Sequence, residues 1–475
     1  METSLAHLSI TEAAKKLKVK EITALDLARA CLVEIEKRNK SLNAYLEVYT
    51  DVEAQAKVAD AKRAQNEKEG KASHPLLGIP LALKDNILVE GRVASAASKM
   101  LEHYTATYDA TVIKKLKDAG AVFLGRTNMD EFALGSTTEN SAFGVTRNPH
   151  DETRTAGGTS GGSAVAVASG MALGALGTDT GGSVRAPSSF CGVVGLKPTY
   201  GAVSRFGLIA AVSSFDQAGP LARTVEDAEL LFTTIRGEDA LDSTSISETE
   251  YPARTAPKKI GVPVSLIAQG LDADVRVRFD AALVQLTKAG IPWEPIELPT
   301  LSVALATYYI TNFAEVSSNL ARFDGIRYGL SQKGETLFDD YATSRAAGFG
   351  AETRRRIILG TYVLSAGYYD AFYGKATAAR EQLRREFVEI FKKVDIIATP
   401  TMPCPATTIG EKSDPLSMYL MDIFTVTANL TGNPALTVPM GTVTRDGKNL
   451  PVGMQFTAAH GDESGLFAIG KLLVL

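Results

Sequence analysis

The chain has 475 residues, of which 45% are hydrophobic and 22% charged, with a formal net charge of −4. This composition suits a large buried core and excludes a disordered or collagenous chain. The acidic balance excludes a protein that holds nucleic acid through its overall charge, although a local basic patch or a basic partner stays open.

No run is long and apolar enough to span a bilayer, and the start, METSLAHLSITEAAKK, lacks a signal-peptide core. A cytoplasmic protein is therefore expected. Cys31, Cys191 and Cys404 stand far apart, so neither a disulfide framework nor a zinc knuckle is expected.

In chain order, Thr11–Leu17 and Thr23–Asn39 read as helices. Thr23 and Asp26 resemble a capping box, and Leu27, Cys31, Leu32 and Ile35 recur at helical spacing. An alanine-rich helix is predicted over Val52–Glu67, stopped near Gly70. These helices read as a surface layer, a partner-docking element or simply helices packed on the core. Leu77–Leu83 is a continuous apolar run that fits a buried strand, and Lys84 sits where it ends. Asp109–Ala119 is predicted as a helix, Ala121–Leu124 as a strand and Gly125–Gly135 as a polar loop or short helix.

From Val193 the signals alternate. Val193–Leu196, Ile260–Val262 and Pro292–Leu298 read as strands, and Thr224–Ile235 and Asp274–Ala289 as helices. Gly237–Pro257 reads as an irregular connection. Val303–Lys392 is mostly helical. Strand signals return at Val394–Thr399, Ala435–Val438 and Val452–Phe456, and Glu463–Leu475 reads as a helix that stops abruptly. The alternation predicts an α/β fold with a mixed sheet.

The most informative stretch runs from Ala156 to Pro187, AGGTSGGSAVAVASGMALGALGTDTGGSVRAP. One glycine-rich turn carries Thr159 and Ser160, and a second carries Thr178, Thr180 and Ser183. Between them Ala164–Ala172 has helix-like composition. Glycine permits close backbone approach and positive φ, and successive N–H groups in such a turn can converge on an oxyanion. Two hydroxyl turns joined by a tight helix are expected to face one pocket. A glycine-rich packing loop would explain one such turn but not two.

A serine triad needs a histidine base. None of His7, His74, His103, His150 and His460 lies in a glycine-flanked turn or a patterned polar cluster. Gly158–Gly162 matches the nucleophile-elbow pattern G-x-S-x-G, but DETRTA before it does not read as the required strand. Lysine can serve as base if burial disfavours its ammonium form, and Lys84, at the foot of an apolar strand, meets that condition. The alternative is that Lys84 only pairs with Asp85. A lysine, a bridging hydroxyl and a nucleophilic hydroxyl would form a proton relay.

GIPLALKDN, GRTNMDEFALGSTTENSAFG, the two glycine turns and FCGVVGLKPTYGAVSRFGL occur in this order. Together they resemble the amidase signature family. SSNLARFDGIRYG with RRRIILGTYVLSAGYYDAFY, and MYLMDIFTVTANLTGNPALTVP, narrow the resemblance. They are similar to the branch that serves as glutamine-hydrolysing subunits of tRNA-dependent amidotransferases. The likeness runs from about Ile10 to the final residues and is weakest at the N-terminus and at Gly237–Pro257.

The resemblance implies one large domain over 73–475, its twisted mixed sheet covered by helices on both faces, with 1–72 as a helical segment packed on it. It places the base on Lys84 and the nucleophile on Ser183. The family's bridging serine, which sits on a cis peptide, falls on Thr159. Threonine keeps the hydroxyl but adds a β-methyl and restricts χ1. A non-proline cis peptide would cost about 3–4 kcal/mol there. Ser160 is the second choice for the bridge. The implied oxyanion hole is the N–H groups of Thr180, Gly181, Gly182 and Ser183.

For a glutamine substrate the resemblance puts the α-carboxylate on Arg356 and the α-ammonium on Asp422, with Tyr308 lining the pocket. Arginine's planar fork suits a carboxylate. Arg354 and Arg355 beside Arg356 leave open a solvated basic face. Arg185 is expected to brace the nucleophile turn by pairing with a carboxylate.

No Walker-type or H-E-x-x-H sequence occurs. The implied chemistry needs no metal or cofactor in this chain. ATP and Mg2+ would act on a partner protein that amidates mischarged tRNA, and a small third subunit would complete a heterotrimer. A stand-alone small-amide amidase and a non-catalytic scaffold remain the alternatives.

Overall fold

The computed structural model describes residues 4–247, 251, 256–268 and 270–473. The fold is α/β, built on an eleven-stranded mixed sheet. From one edge its strands run Tyr45–Val48, Val122–Thr127, Pro80–Lys84, Gly174–Asp179, Gln217–Ala222, Val194–Lys197, Ala435–Arg445, Lys448–Ala458, Ile396–Pro400, Ile260–Val262 and Trp293–Pro295. Pro80–Lys84 is parallel to both of its neighbours. Gln217–Ala222 is antiparallel to both of its own. All five residues of Pro80–Lys84 and all six of Gly174–Asp179 are buried. Strands buried on both faces read as unbroken apolar or small-residue runs.

The expected helices before residue 300, apart from the segment between the glycine turns, form with their ends shifted by three residues or fewer. Ile10–Lys18 is capped by Ser9 and Ala24–Leu42 by Thr23, each through a reciprocal capping box, the second the expected Thr23–Asp26 pair. Val52–Lys68 follows. Asp227 fastens the first helix to the core, accepting from the N–H groups of Ile10 (2.8 Å) and Thr11 (2.9 Å). The stretch 1–72 also supplies the edge strand Tyr45–Val48, which pairs antiparallel with Val122–Thr127.

The helical expectation over Val303–Lys392 resolves into Leu301–Asn319, Leu337–Gly348, Ala351–Leu364 and Lys375–Ile390, the last preceded by a π turn at Asp370–Gly374. Glu463–Gly470 is helical. The predicted Glu463–Leu475 helix therefore ends at Gly470, with Lys471 and Leu472 in a turn; positions 474–475 lie outside the described residues, as does part of Gly237–Pro257.

Between the two glycine turns the chain is not one helix. Gly161–Ala168 is a helix and Gly174–Asp179 a central strand. The helix is buried on all sides, and its small side chains let it lie close under the sheet. DETRT does form a strand, Asp151–Thr155, but it pairs with Arg147–Asn148 in a separate two-stranded sheet.

Candidate active site

Lys84 ends its strand fully buried. Its Nζ lies 2.7 Å from Thr159 Oγ1, 2.9 Å from Thr178 Oγ1 and 3.2 Å from the Thr178 carbonyl oxygen. Asp85 is not its partner. The Asp85 carboxylate takes the Arg126 guanidinium at 3.0 Å, the Ala97 N–H at 2.9 Å and the Ser95 hydroxyl. Burial lowers the Lys84 pKa to about 7, against the pull of Asp130, Asp179 and Asp216. The amine is therefore poised between its two protonation states near neutrality, which suits a general base.

The two hydroxyl turns meet. The Ser160 N–H donates to the Ser183 carbonyl at 3.1 Å. The Ser160 hydroxyl is spent elsewhere, on the Thr178 carbonyl at 3.1 Å. Of the two hydroxyls in the first turn, Thr159 and not Ser160 is thus the one bonded to the lysine. The described peptide bonds are all trans, so the cis linkage implied by the resemblance is not present at this turn.

Asp179 builds the second turn. Its carboxylate takes Arg185 in a two-point pair, at 3.0 Å from Nε and 2.8 Å from Nη2, with both side chains fully buried. It also accepts the N–H groups of Gly182 (2.9 Å) and Val184 (3.1 Å). Burial pushes the Asp179 pKa up, but the Arg185 charge and its hydrogen bonds outweigh this and hold it well below the usual range. Arg185 thus braces the turn as expected.

The four N–H groups of the turn are not equivalent. Gly182's is committed to Asp179, which withdraws it from the expected oxyanion set and leaves those of Thr180, Gly181 and Ser183. Gly182 itself has φ 127°, and a Cβ there would meet the Thr425 side chain. The Thr180 hydroxyl is anchored on Asp216 at 2.7 Å.

Ser183, Gly181, Ser136, Tyr308, Arg356 and Asp422 line one narrow cavity. None of the five histidines does. The larger clefts lie elsewhere, one of them beside helix Val52–Lys68, and contain none of these groups.

Of the three consecutive arginines, Arg354 and Arg355 are exposed and Arg356 is buried. Arg356 takes Glu352, one turn back, as its ion-pair partner at 2.8 Å. Its guanidinium lies 5.6 Å and 5.4 Å from the ring centres of Tyr309 and Tyr419. Arg356 Nη2 is buried with no hydrogen-bond partner, so one of the residues that line the cavity keeps an unsatisfied donor.

Asp422 accepts from the hydroxyls of Tyr309 (2.6 Å) and Ser136 (2.9 Å). Burial raises its pKa to about 6, opposed by those hydroxyls and by Arg356. The cavity therefore pairs a cation with an unused donor and a carboxylate held near ionisation, beside a serine in a glycine turn.

Ser136, Tyr309, Asn312 and Glu352 carry no functional signal that the sequence alone made plain. Glu352 comes nearest to one, in its i,i+4 spacing to Arg356. The others gather through tertiary packing, and nothing in their local sequence marks them.

The amidase family profile matches residues 26–467. The chain belongs to the amidase family.

Several amidotransferase proteins are similar to it along their whole length. The A subunit of glutamyl-tRNA(Gln) amidotransferase from Carboxydothermus hydrogenoformans is 49% identical, covering 98% of this chain and 96% of that protein. The corresponding protein of Geobacillus kaustophilus is 48% identical over the same shares, 98% and 96%. The solved structure of its Thermotoga maritima counterpart is 39% identical with TM-score 0.80, covering 99% of this chain and 95% of that one. A peptide amidase from Stenotrophomonas maltophilia is 29% identical with TM-score 0.81, covering 98% and 96%. The large mixed sheet flanked by helices is the amidase architecture. Among the described residues no cluster suited to a metal ion occurs and no helix is long and apolar enough to cross a membrane.

Proposed function

We propose that this chain is the glutamine-hydrolysing subunit of a tRNA-dependent amidotransferase. One observation carries the reading: a buried arginine with an unsatisfied donor and a buried carboxylate border the same cavity as a glycine-turn serine. A simple amide has no α-carboxylate or α-ammonium to use that pair. Glutamine has both, and its side-chain amide would extend toward Ser183.

In this mechanism Ser183 Oγ attacks the side-chain carbonyl carbon. Its proton passes through Thr159 to Lys84. The N–H groups of Thr180, Gly181 and Ser183 stabilise the tetrahedral oxyanion. Lys84 returns the proton to the departing nitrogen through the same hydroxyl, ammonia leaves, and a glutamyl ester remains on Ser183. Water then attacks the ester carbonyl and gives up a proton along the relay; the acyl bond to Ser183 Oγ breaks, that proton returns to Oγ through Thr159, and glutamate is released.

The ammonia goes to a partner protein, which uses ATP and Mg2+ to activate Glu-tRNA(Gln) or Asp-tRNA(Asn). A small third subunit completes the cytoplasmic heterotrimer. Within the chain, 73–475 holds the catalytic residues, and 1–72 packs its helices on that body and adds the edge strand Tyr45–Val48 to its sheet.

Ammonia release should be measured with glutamine and with simple aliphatic amides on the full-length chain and its co-purifying subunits. Strong preference for glutamine is expected, together with glutamine-dependent amidation of a mischarged tRNA. Preference for the aliphatic amides would make the chain a stand-alone amidase.

The bridge has its own test. Thr159→Val keeps the shape and removes the hydroxyl, and is expected to lower kcat roughly 100-fold or more, the usual range for a lost proton-transfer group. Thr159→Ser should stay within a few-fold of the starting enzyme. Ser160→Ala should keep the relay, because its hydroxyl bonds a carbonyl and not the lysine. The reverse order would move the bridge to Ser160.

A further inference from the structure

Arg356 is tied to more than Glu352. Its Nη1 donates to Asn312 Oδ1 at 3.2 Å, and Asn312 Nδ2 donates to the Tyr308 hydroxyl at 3.3 Å. Asn312, Arg356, Glu352 and Tyr308 are all buried.

The amide has one allowed orientation here. A guanidinium offers only donors, so the carbonyl oxygen of Asn312 must face it and the NH2 must face Tyr308. Tyr308 Oη therefore accepts from Asn312, and its own proton is left for the cavity that the residue lines. That hydroxyl stands against the proposed oxyanion turn: a Cβ added to Gly181 would overlap it. Burial, then the Asp422 charge, raises the Tyr308 pKa far above neutrality, so the phenol keeps its proton throughout the working range.

We infer that Asn312 is a positioning residue that couples recognition of the substrate carboxylate at Arg356 to a phenol proton held over the reacting amide by Tyr308. The inference rests on the glutamine reading and deepens it. One side chain fixes both the edge that Arg356 presents and the direction in which Tyr308 donates. A carboxylate seated on Arg356 therefore meets a site whose tyrosine is already turned toward the scissile group.

Asn312→Asp separates the two tasks. It keeps an acceptor for Arg356 but presents a second acceptor to Tyr308, which draws the phenol proton away from the cavity. Asn312→Leu removes both bonds. Steady-state kinetics with glutamine on the full-length chain and its co-purifying subunits should show Asn312→Asp lowering kcat about tenfold with KM changed less than about threefold, as for an interaction made mainly in the transition state. Asn312→Leu should lower kcat and raise KM together.

With 4-aminobutanamide, which is glutamine without its carboxylate, Asn312→Leu should leave KM unchanged. On a Tyr308→Phe background, Asn312→Asp should cost nothing further in kcat, because no phenol proton remains to be misdirected. Additive losses in that double variant, or an Asn312→Asp enzyme with undiminished kcat, would overturn the inference while leaving glutamine hydrolysis standing. A starting enzyme that releases no ammonia from glutamine would overturn the reading beneath it. The double variant preserves the test if Asn312→Leu does not fold.

Discussion

Replacing Ser183 with alanine is expected to abolish glutamine hydrolysis while the complex still amidates mischarged tRNA from free ammonia. The substitution removes the only atom proposed to bond the substrate carbon, so the glutamyl ester cannot form. Losing a nucleophile of this kind costs on the order of 10^4-fold or more in kcat, with the remainder coming from the oxyanion donors and from binding.

Little structural damage should accompany it. Ser183 is 6% exposed and its backbone, not its hydroxyl, makes the bond to Ser160. The turn keeps its brace, because Asp179 and Arg185 hold it from outside the side chain. Two measurements check this. Hydroxylamine should trap a glutamyl ester from the unmodified enzyme and none from Ser183→Ala. Amidation with ammonium chloride should be equal in the two. A matching fall in the ammonia-dependent reaction would mean that Ser183 supports the complex and is not the nucleophile.

The elements that could be read from sequence are those whose local chemistry is self-sufficient. The Thr23–Asp26 box is a helix start written in four residues, and Ile260–Val262 is an apolar run bounded by Lys259 and Pro263; both formed as expected. Lys84 was legible for the same reason, as a charge at the foot of a strand with no polar residue before it.

The strands that were missed carry the wrong local signal. Gly174–Asp179 has two glycines and no alternation: a Cβ at Gly177 would strike Ser160, the residue that precedes helix Gly161–Ala168, and one at Gly174 would strike Ile10. Gln217–Ala222 holds a glycine and a proline, which read as a turn, yet it sits between two strands of the sheet. Tyr45–Val48 is four residues at an edge, too short to show a period.

The substrate pair shows the same limit. Burial selects Arg356 over Arg354 and Arg355, and burial follows from which helix face meets Leu301–Asn319, a fact of tertiary packing. The resemblance supplied the arginine, but only the fold reveals why it is that one. The commitment of the Gly182 amide to Asp179 was invisible in the same way.

Replacing Lys84 should be nearly as damaging as replacing Ser183, and the choice of replacement decides what is learned. Lys84→Met keeps the aliphatic stem and removes the amine. Lys84→Arg keeps a cation but cannot shed its proton in a protein. If the lysine acts only as a positive charge near the turn, arginine should rescue part of the activity. If it acts as a base, both variants should fall by about 10^3-fold or more.

The pH profile gives an independent reading of the same group. With its pKa lowered to about 7 by burial, Lys84 is protonated below that value and free to accept above it. Asp422, raised to about 6, must be ionised to hold an ammonium and is so above the same region. Both conditions act in one direction, so kcat/KM for glutamine should climb from about pH 5.5 to about 8 and then level. Because the relay tunes kcat and Asp422 tunes binding, Asp422→Asn should raise KM and leave the kcat limb near pH 7 in place. A kcat that is flat across this range, or one that falls as pH rises through 7, would show that the proton is taken by some group other than the amine at the end of Pro80–Lys84.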